Sequence, residues 1–200
     1  MTKKRVAVLI SGRGSNMAAL IEAAKAPDYP ATILLVVSNV PDAGGLSSAR
    51  DAGIATAVVD HRKYGADREA FEHALDAELT AHAIDIVCLA GFMRLLTPWF
   101  VTQWSGRLLN IHPALLPQFK GLHTHRRALE AGATRHGATV HFVVTEMDAG
   151  PIIAQDSVPV VVGDTEESLA KRVLELEHRL YPQALRAVAD GRASLPHTTQ

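Results

Sequence analysis

Short, wholly apolar runs alternate with amphipathic stretches along most of the chain. Residues 6–10 (VAVLI) are rich in β-branched side chains and carry no polar alternation. That is the pattern of a strand buried on both faces of a parallel sheet. Gly12 and Gly14 break the run, and residues 16–26 predict a helix that Pro27 helps to stop. The alternation then repeats, with strands predicted over 33–38 and 56–59 and a short helix between them over 44–52. Asp67 is placed to cap a helix whose Phe71, Leu75 and Leu79 recur every four residues as one apolar stripe. Residues 86–90 predict a fourth buried strand ended by Gly91, 97–103 a short helix, and 107–111 a fifth strand running into His112-Pro113.

The pattern changes after that. Residues 138–145 and 152–162 predict longer strands, joined by the loop 146–151 in a plausibly antiparallel arrangement. Asp164 with Glu167 three residues on resembles a capping box for a long helix. Its Leu169, Val173, Leu176 and Leu180 form one stripe, and Pro182 predicts a kink before an end near Gly191. Strand after helix after strand implies right-handed crossovers. The expected class is α/β: an open, mostly parallel twisted sheet with helices on both faces. Its N-terminal half is Rossmann-like, and an antiparallel edge lies in the C-terminal part.

Composition narrows the function classes. The chain has 200 residues, 48% hydrophobic and 20% charged, which at roughly 150 residues per domain predicts one domain over 1–200. Within it, 1–105 would form one half and 106–192 the other, with a loose tail over 193–200. Lys plus Arg number 20 against 21 Asp plus Glu, a balance that argues against a phosphate-backbone binder. One cysteine, Cys88, excludes a disulfide framework within the chain. No window approaches 18 apolar residues, and the run 6–10 is too short for a signal-peptide core. A cytoplasmic protein without membrane or nucleic-acid partners is expected, as a monomer or a homodimer.

The turn Ser11-Gly12-Arg13-Gly14-Ser15-Asn16 joins the first predicted strand to the first helix. A helix N-terminus beyond a strand's carboxyl end offers free N–H groups and partial positive charge, so a phosphate is its natural occupant. Gly14 lets the backbone approach closely, while Ser15 and Asn16 add side-chain donors. A dinucleotide fingerprint fits worse, because Met17 stands where a third glycine belongs and the second strand ends in Ser38-Asn39 without a ribose-binding acid. A tight turn without a ligand is the plain alternative.

Asn110 and His112 lie two apart at the predicted end of the fifth strand, so they face the same side. An amide donor beside an imidazole suits a reaction that develops charge on oxygen and moves a proton near neutral pH. Asp148, in the loop 146–151, is most simply a turn former, but a carboxylate beside His112 would orient its ring and favour the cation. Spacing alone leaves open whether they meet. His123-Thr124-His125 could chelate a metal, yet no further ligand cluster has the spacing, so no metal is expected.

Five stretches together resemble the phosphoribosylglycinamide formyltransferase family. They are Ser11 to Asn16, Ala90-Gly91-Phe92-Met93-Arg94-Leu95-Leu96, 109–117 (LNIHPALLP), Gly121-Leu122-His123-Thr124-His125 and Asp148-Ala149-Gly150-Pro151. The resemblance implies a formyltransferase-type fold and direct transfer of the formyl group of 10-formyltetrahydrofolate to the amine of 5-phosphoribosylglycinamide in purine synthesis. It implies Asn110, His112 and Asp148 as the catalytic trio and Gly14, Ser15 and Asn16 as the phosphate loop. Glu177 would meet the sugar. Arg68, Met93, Arg94, Leu95, Leu96 and Asn110 would contact the folate, with Leu95 and Leu96 against the pterin and Arg68 at the glutamate carboxylates. The halves 1–105 and 106–192 would then be phosphate-binding and catalytic plus folate-binding respectively. Ala114 departs from the wider group, which commonly has serine there.

Rival readings are another folate formyl-group enzyme, of the deformylase or tRNA formyltransferase type, and a phosphometabolite-binding module without catalysis. The resemblance expects an extra domain in the first two, for which 200 residues leave little room. A binding module gives no reason for Asn110, His112 and Asp148 together.

Overall fold

A computed structural model of the chain describes residues 2–195. The apolar run after the basic N-terminus forms β1 (Lys4–Ile10), whose last five residues are wholly buried. It pairs in parallel with β2 (Ala31–Ser38) on one side and β4 (Ile86–Leu89) on the other. Beyond β2 lies the short β3 (Ala55–Val58), and beyond β4 lies β5 (Leu108–His112), both parallel. Two longer strands, β6 (Arg135–Phe142) and β7 (Ile152–Pro159), complete the sheet in antiparallel pairing. The order is β3-β2-β1-β4-β5-β6-β7. This is the open, mostly parallel sheet with an antiparallel edge that the hydrophobic pattern predicts.

Alternate residues of the buried strands feed opposite faces, as the period of two requires. Val6, Val8 and Ile10 face α1 (Ser15–Ala24), α2 (Gly44–Asp51) and the long α6 (Glu166–Ala189). Ala7 and Leu9 face α3 (Arg68–Ala81) and α4 (Pro98–Gln103). The stripe Phe71, Leu75, Leu79 of α3 is buried there, behind an Asp67 N-cap that accepts the Ala70 N–H at 2.9 Å. On the other face, the phenol of the fully buried Tyr181 donates to the carbonyls of Leu89 and Leu109 at 3.0 and 3.2 Å. It thereby ties α6 to the ends of β4 and β5.

Several boundaries differ from expectation, each for a local reason. The capping box of α6 is formed one residue later than predicted: Thr165 and Ser168 exchange bonds at 3.1 and 3.0 Å. Asp164 instead accepts from the Val161 N–H and the Arg172 guanidinium. α6 runs through Pro182 as one helix to Ala189, close to the expected end near Gly191. The second edge strand ends at Pro159, short of the expected 162. β6 begins earlier and ends earlier than 138–145, and within it Gly137 packs so closely on the Asp156 backbone that a Cβ would not fit. A seven-residue helix, α5 (Thr124–Glu130), and a 3-10 turn (His61–Tyr64) fill segments that were given no element. Of the expected loose tail, Ala193 donates its N–H to Ala187 and Leu195 packs on the core; 196–200 lie outside the described residues.

Candidate active site

The sheet order reverses direction between β1 and β4, so the loops after these neighbouring parallel strands diverge at one edge. Such a switch point opens a crevice beyond the strands' carboxyl ends. The loop after β1, the segment after β4 and the end of β5 all lie along it.

The first of these is the glycine turn. Gly14 caps α1 with φ 71°, a left-handed conformation that costs glycine nothing, and a Cβ there would crowd Met17 and the Gly45 backbone. No side chain caps α1, so its first-turn N–H groups stay available to an anion. Ser15 is exposed. Asn16 is buried, and its amide nitrogen donates to Glu177 Oε2 at 2.6 Å instead of pointing freely into the crevice. The amide oxygen of Asn16 has no protein partner. Burial pushes the Glu177 carboxyl above its ordinary value, partly offset by the Asn16 bond.

The second is the segment 91–97, which has no regular secondary structure. Met93 and Leu95 are 71% and 67% exposed, whereas Leu96 packs against the core. Arg94 lies over the Phe71 ring at 5.9 Å. Arg68, at the start of α3, is exposed and donates to the Leu95 carbonyl.

The third holds the convergent polar side chains. His112 ends β5, with Nδ1 3.6 Å from Asp148 Oδ2 and Nε2 3.0 Å from the Phe119 carbonyl. Oxygen acceptors therefore face both ring nitrogens. The same Oδ2 of Asp148 accepts the Gly121 N–H at 2.9 Å, and its Oδ1 lies 3.8 Å from His141 Nε2. Asn110 pairs across the antiparallel ladder with His141, and its amide nitrogen is 3.3 Å from His141 Nε2. Residues distant in sequence thus meet in one cluster, with Asn110 and His112 on one face of β5 and Asp148 brought over them by the β6–β7 loop.

That loop is held by sterics. A Cβ on Gly150 would come within 1.7 Å of the Phe142 carbonyl oxygen, so only glycine fits. Asp148 itself sits at φ 51°, a left-handed conformation that aspartate tolerates better than most residues. Below the cluster, buried Thr139 donates to the Ala114 carbonyl at 2.6 Å and accepts the Leu116 N–H at 3.1 Å. The chain after His112 is thereby fixed through its backbone, and Ala114 is fully buried, so this support needs no hydroxyl at 114.

His141 was not singled out from the sequence. Its signal was a histidine between the apolar Val140 and Phe142, directly across from Asn110 once β5 and β6 are paired. Its Nδ1 lies 2.9 Å from the Phe142 carbonyl, which leaves Nε2 to accept from Asn110. Burial lowers its pKa, opposed by the Phe142 bond and by Asp148. His123 and His125 do not gather further ligands; the half-buried His125 ring stands edge-on to His136 at 5.2 Å. Among the described residues no group of three or more His, Cys, Asp or Glu is placed to hold a metal, and no helix is long and apolar enough to cross a membrane. Cys88 is fully buried, and burial pushes its thiol up to about 12. It is therefore a core side chain and not a nucleophile.

A crevice at a switch point, an anion-ready turn and a part-buried amide–imidazole–carboxylate cluster are the parts that an α/β group-transfer enzyme needs. The chain belongs to the formyl transferase family, whose pattern it matches over residues 4–185. It is 50% identical over 190 residues to the phosphoribosylglycinamide formyltransferase of Escherichia coli (strain K12), covering 95% of this chain and 89% of that protein. It is also 53% identical over 189 residues to the trifunctional purine biosynthetic protein adenosine-3 of Gallus gallus, covering 94% of this chain but spanning only 19% of that protein's length. The crystal structure of phosphoribosylglycinamide formyltransferase from Brucella melitensis superposes with a TM-score of 0.91 at 53% identity, covering 98% of this chain and 100% of that one.

Proposed function

We propose that this chain transfers the formyl group of 10-formyltetrahydrofolate to the primary amine of 5-phosphoribosylglycinamide by direct attack. The observation that carries the reading is the buried contact of His112 with Asp148, 3.6 Å apart, on the strand that also presents Asn110. The amine attacks the formyl carbon, forming a new C–N bond and a tetrahedral intermediate with its charge on oxygen. Asn110 and the His112 cation donate to that oxygen; each such donor is worth about 3 kcal/mol in the transition state. For His112 the oxygen replaces the Phe119 carbonyl as partner of Nε2–H, and for Asn110 it replaces His141.

As the intermediate collapses, the bond to the folate nitrogen breaks and His112 supplies the proton that this leaving group needs. Asp148 keeps the imidazole cationic and receives, through water, the proton shed by the attacking amine. No covalent enzyme intermediate is needed. The N–H groups of the Gly14–Ser15–Asn16 turn hold the ribonucleotide phosphate, and Glu177, oriented by Asn16, meets the sugar. Met93, Arg94, Leu95 and Leu96, with Asn110, line the folate site. Leu95 and Leu96 flank the pterin, and Arg68 swings from the Leu95 carbonyl to the glutamate carboxylates, a stronger charge-assisted partner.

The test is to supply both substrates and follow the folate absorbance change. Formation of tetrahydrofolate only when the ribonucleotide is present supports transfer. Equal release without it means that water is the acceptor and the enzyme is a deformylase, and no release at all leaves a binding module.

A further inference from the structure

We propose that Ser11 is a positioning residue that fixes the folate segment 91–97 and is not part of the phosphate site; this rests on the folate reading of that segment. β1 and β4 run side by side, and the Ser11 N–H extends their ladder by one bond to the Gly91 carbonyl at 3.1 Å. Beyond that bond the segment leaves the sheet with its apolar Met93 and Leu95 facing solvent. An irregular backbone presenting apolar side chains has no ladder to hold it, so side chains must do so.

Ser11 supplies the anchor nearest the phosphate turn. Its Oγ accepts the Met93 N–H at 2.8 Å and donates to Asn39 Oδ1 at 2.6 Å. Asn39 is 3% exposed, and its own carbonyl faces His61 Nδ1 at 2.9 Å. The one Ser11 hydroxyl hydrogen is therefore committed to Asn39, and one lone pair accepts from Met93. Nothing remains for an anion, in contrast to exposed Ser15 four residues on. The far end of the segment is pinned by Glu72, 1% exposed, which accepts the Thr97 N–H at 2.7 Å and the Thr97 hydroxyl. Ser11 and Glu72 thus hold the two ends, and they still do so once Arg68 leaves the Leu95 carbonyl for the folate.

The experiment measures KM for each substrate and kcat in Ser11→Ala, with Leu96→Ala as a probe of the folate site itself. Ser11→Ala should raise the folate KM about tenfold, the scale of one lost hydrogen bond, while the ribonucleotide KM and kcat change less than about twofold. Ser11→Cys keeps the volume with a weak acceptor and should show the same split to a smaller degree, which serves if the alanine variant does not fold. If Leu96→Ala raises the folate KM and Ser11→Ala does not, the positioning role is wrong and the folate reading stands. If neither moves it, both fall. Equal rises in both KM values with Ser11→Ala would mark a general structural defect and also overturn the proposal.

Discussion

The Nδ1 atom of His112 stands 3.6 Å from Oδ2 of Asp148, with the two side chains 7% and 11% exposed. The carboxylate on one side of the ring and the Phe119 carbonyl on the other hold the imidazole in one orientation. Neither residue could achieve this from its own element. His112 is the last residue of β5, whereas Asp148 arrives on the loop between β6 and β7.

Gly150 is the lever on that relationship. Because a Cβ at 150 would overlap the Phe142 carbonyl, Gly150→Ala must push the 146–151 loop outward and carry Asp148 away from His112. A displacement of about 1 Å at a reacting group costs on the order of a hundredfold. We expect turnover to fall by about that factor with the ribonucleotide KM nearly unchanged; kinetics of the purified variant check this, and normal turnover would contradict it.

Asn16 joins the phosphate turn to α6. Asn16→Ala removes the partner of the buried Glu177 carboxylate, 2.6 Å away, at a stability cost of roughly 1–3 kcal/mol. Both a lower melting temperature and a ribonucleotide KM at least about tenfold higher are expected. Calorimetry and steady-state kinetics would read the two effects separately, and Ser15→Ala should show only the second.

The backbone of this fold was largely legible because its signals are local. The continuous β-branched run 6–10 has the pattern of a doubly buried strand, and the four-residue spacing of Phe71, Leu75 and Leu79 that of a helical face. Gly12 and Gly14 marked the turn by breaking the apolar run. What was not legible depends on contacts between elements. α5 is seven residues long, too short for a stripe to show, and it is capped by His123 in a left-handed conformation that no pattern announces. The capping box moved from Asp164 to Thr165 because Arg172, eight residues further on, takes the Asp164 carboxylate. Asn16 read as a free donor because Glu177 lies far along the chain. His141 read as one more strand residue until β6 lay beside Asn110. The meeting of His112 with Asp148 was likewise beyond reach of spacing.

The fully buried His136 gives a pH dependence. Burial, reinforced by the neighbouring His125, pushes its pKa from 6.5 to about 4. The unfolded chain binds this proton near pH 6.5 and the folded chain only near pH 4. The stability contributed is therefore whole above pH 6.5 and is lost as pH falls from there towards 4. Melting temperature should decline through that window, and the decline should be shallower in His136→Gln. Parallel curves for the two proteins would contradict the assignment.

The most direct test is the turnover of His112→Ala with both substrates saturating. The proposed chemistry takes from this one ring an oxyanion donor and the proton for the leaving nitrogen, so kcat should fall by about three to four orders of magnitude. Binding of the ribonucleotide, measured by calorimetry, should be nearly unchanged. Turnover within tenfold of the unaltered protein would contradict the mechanism.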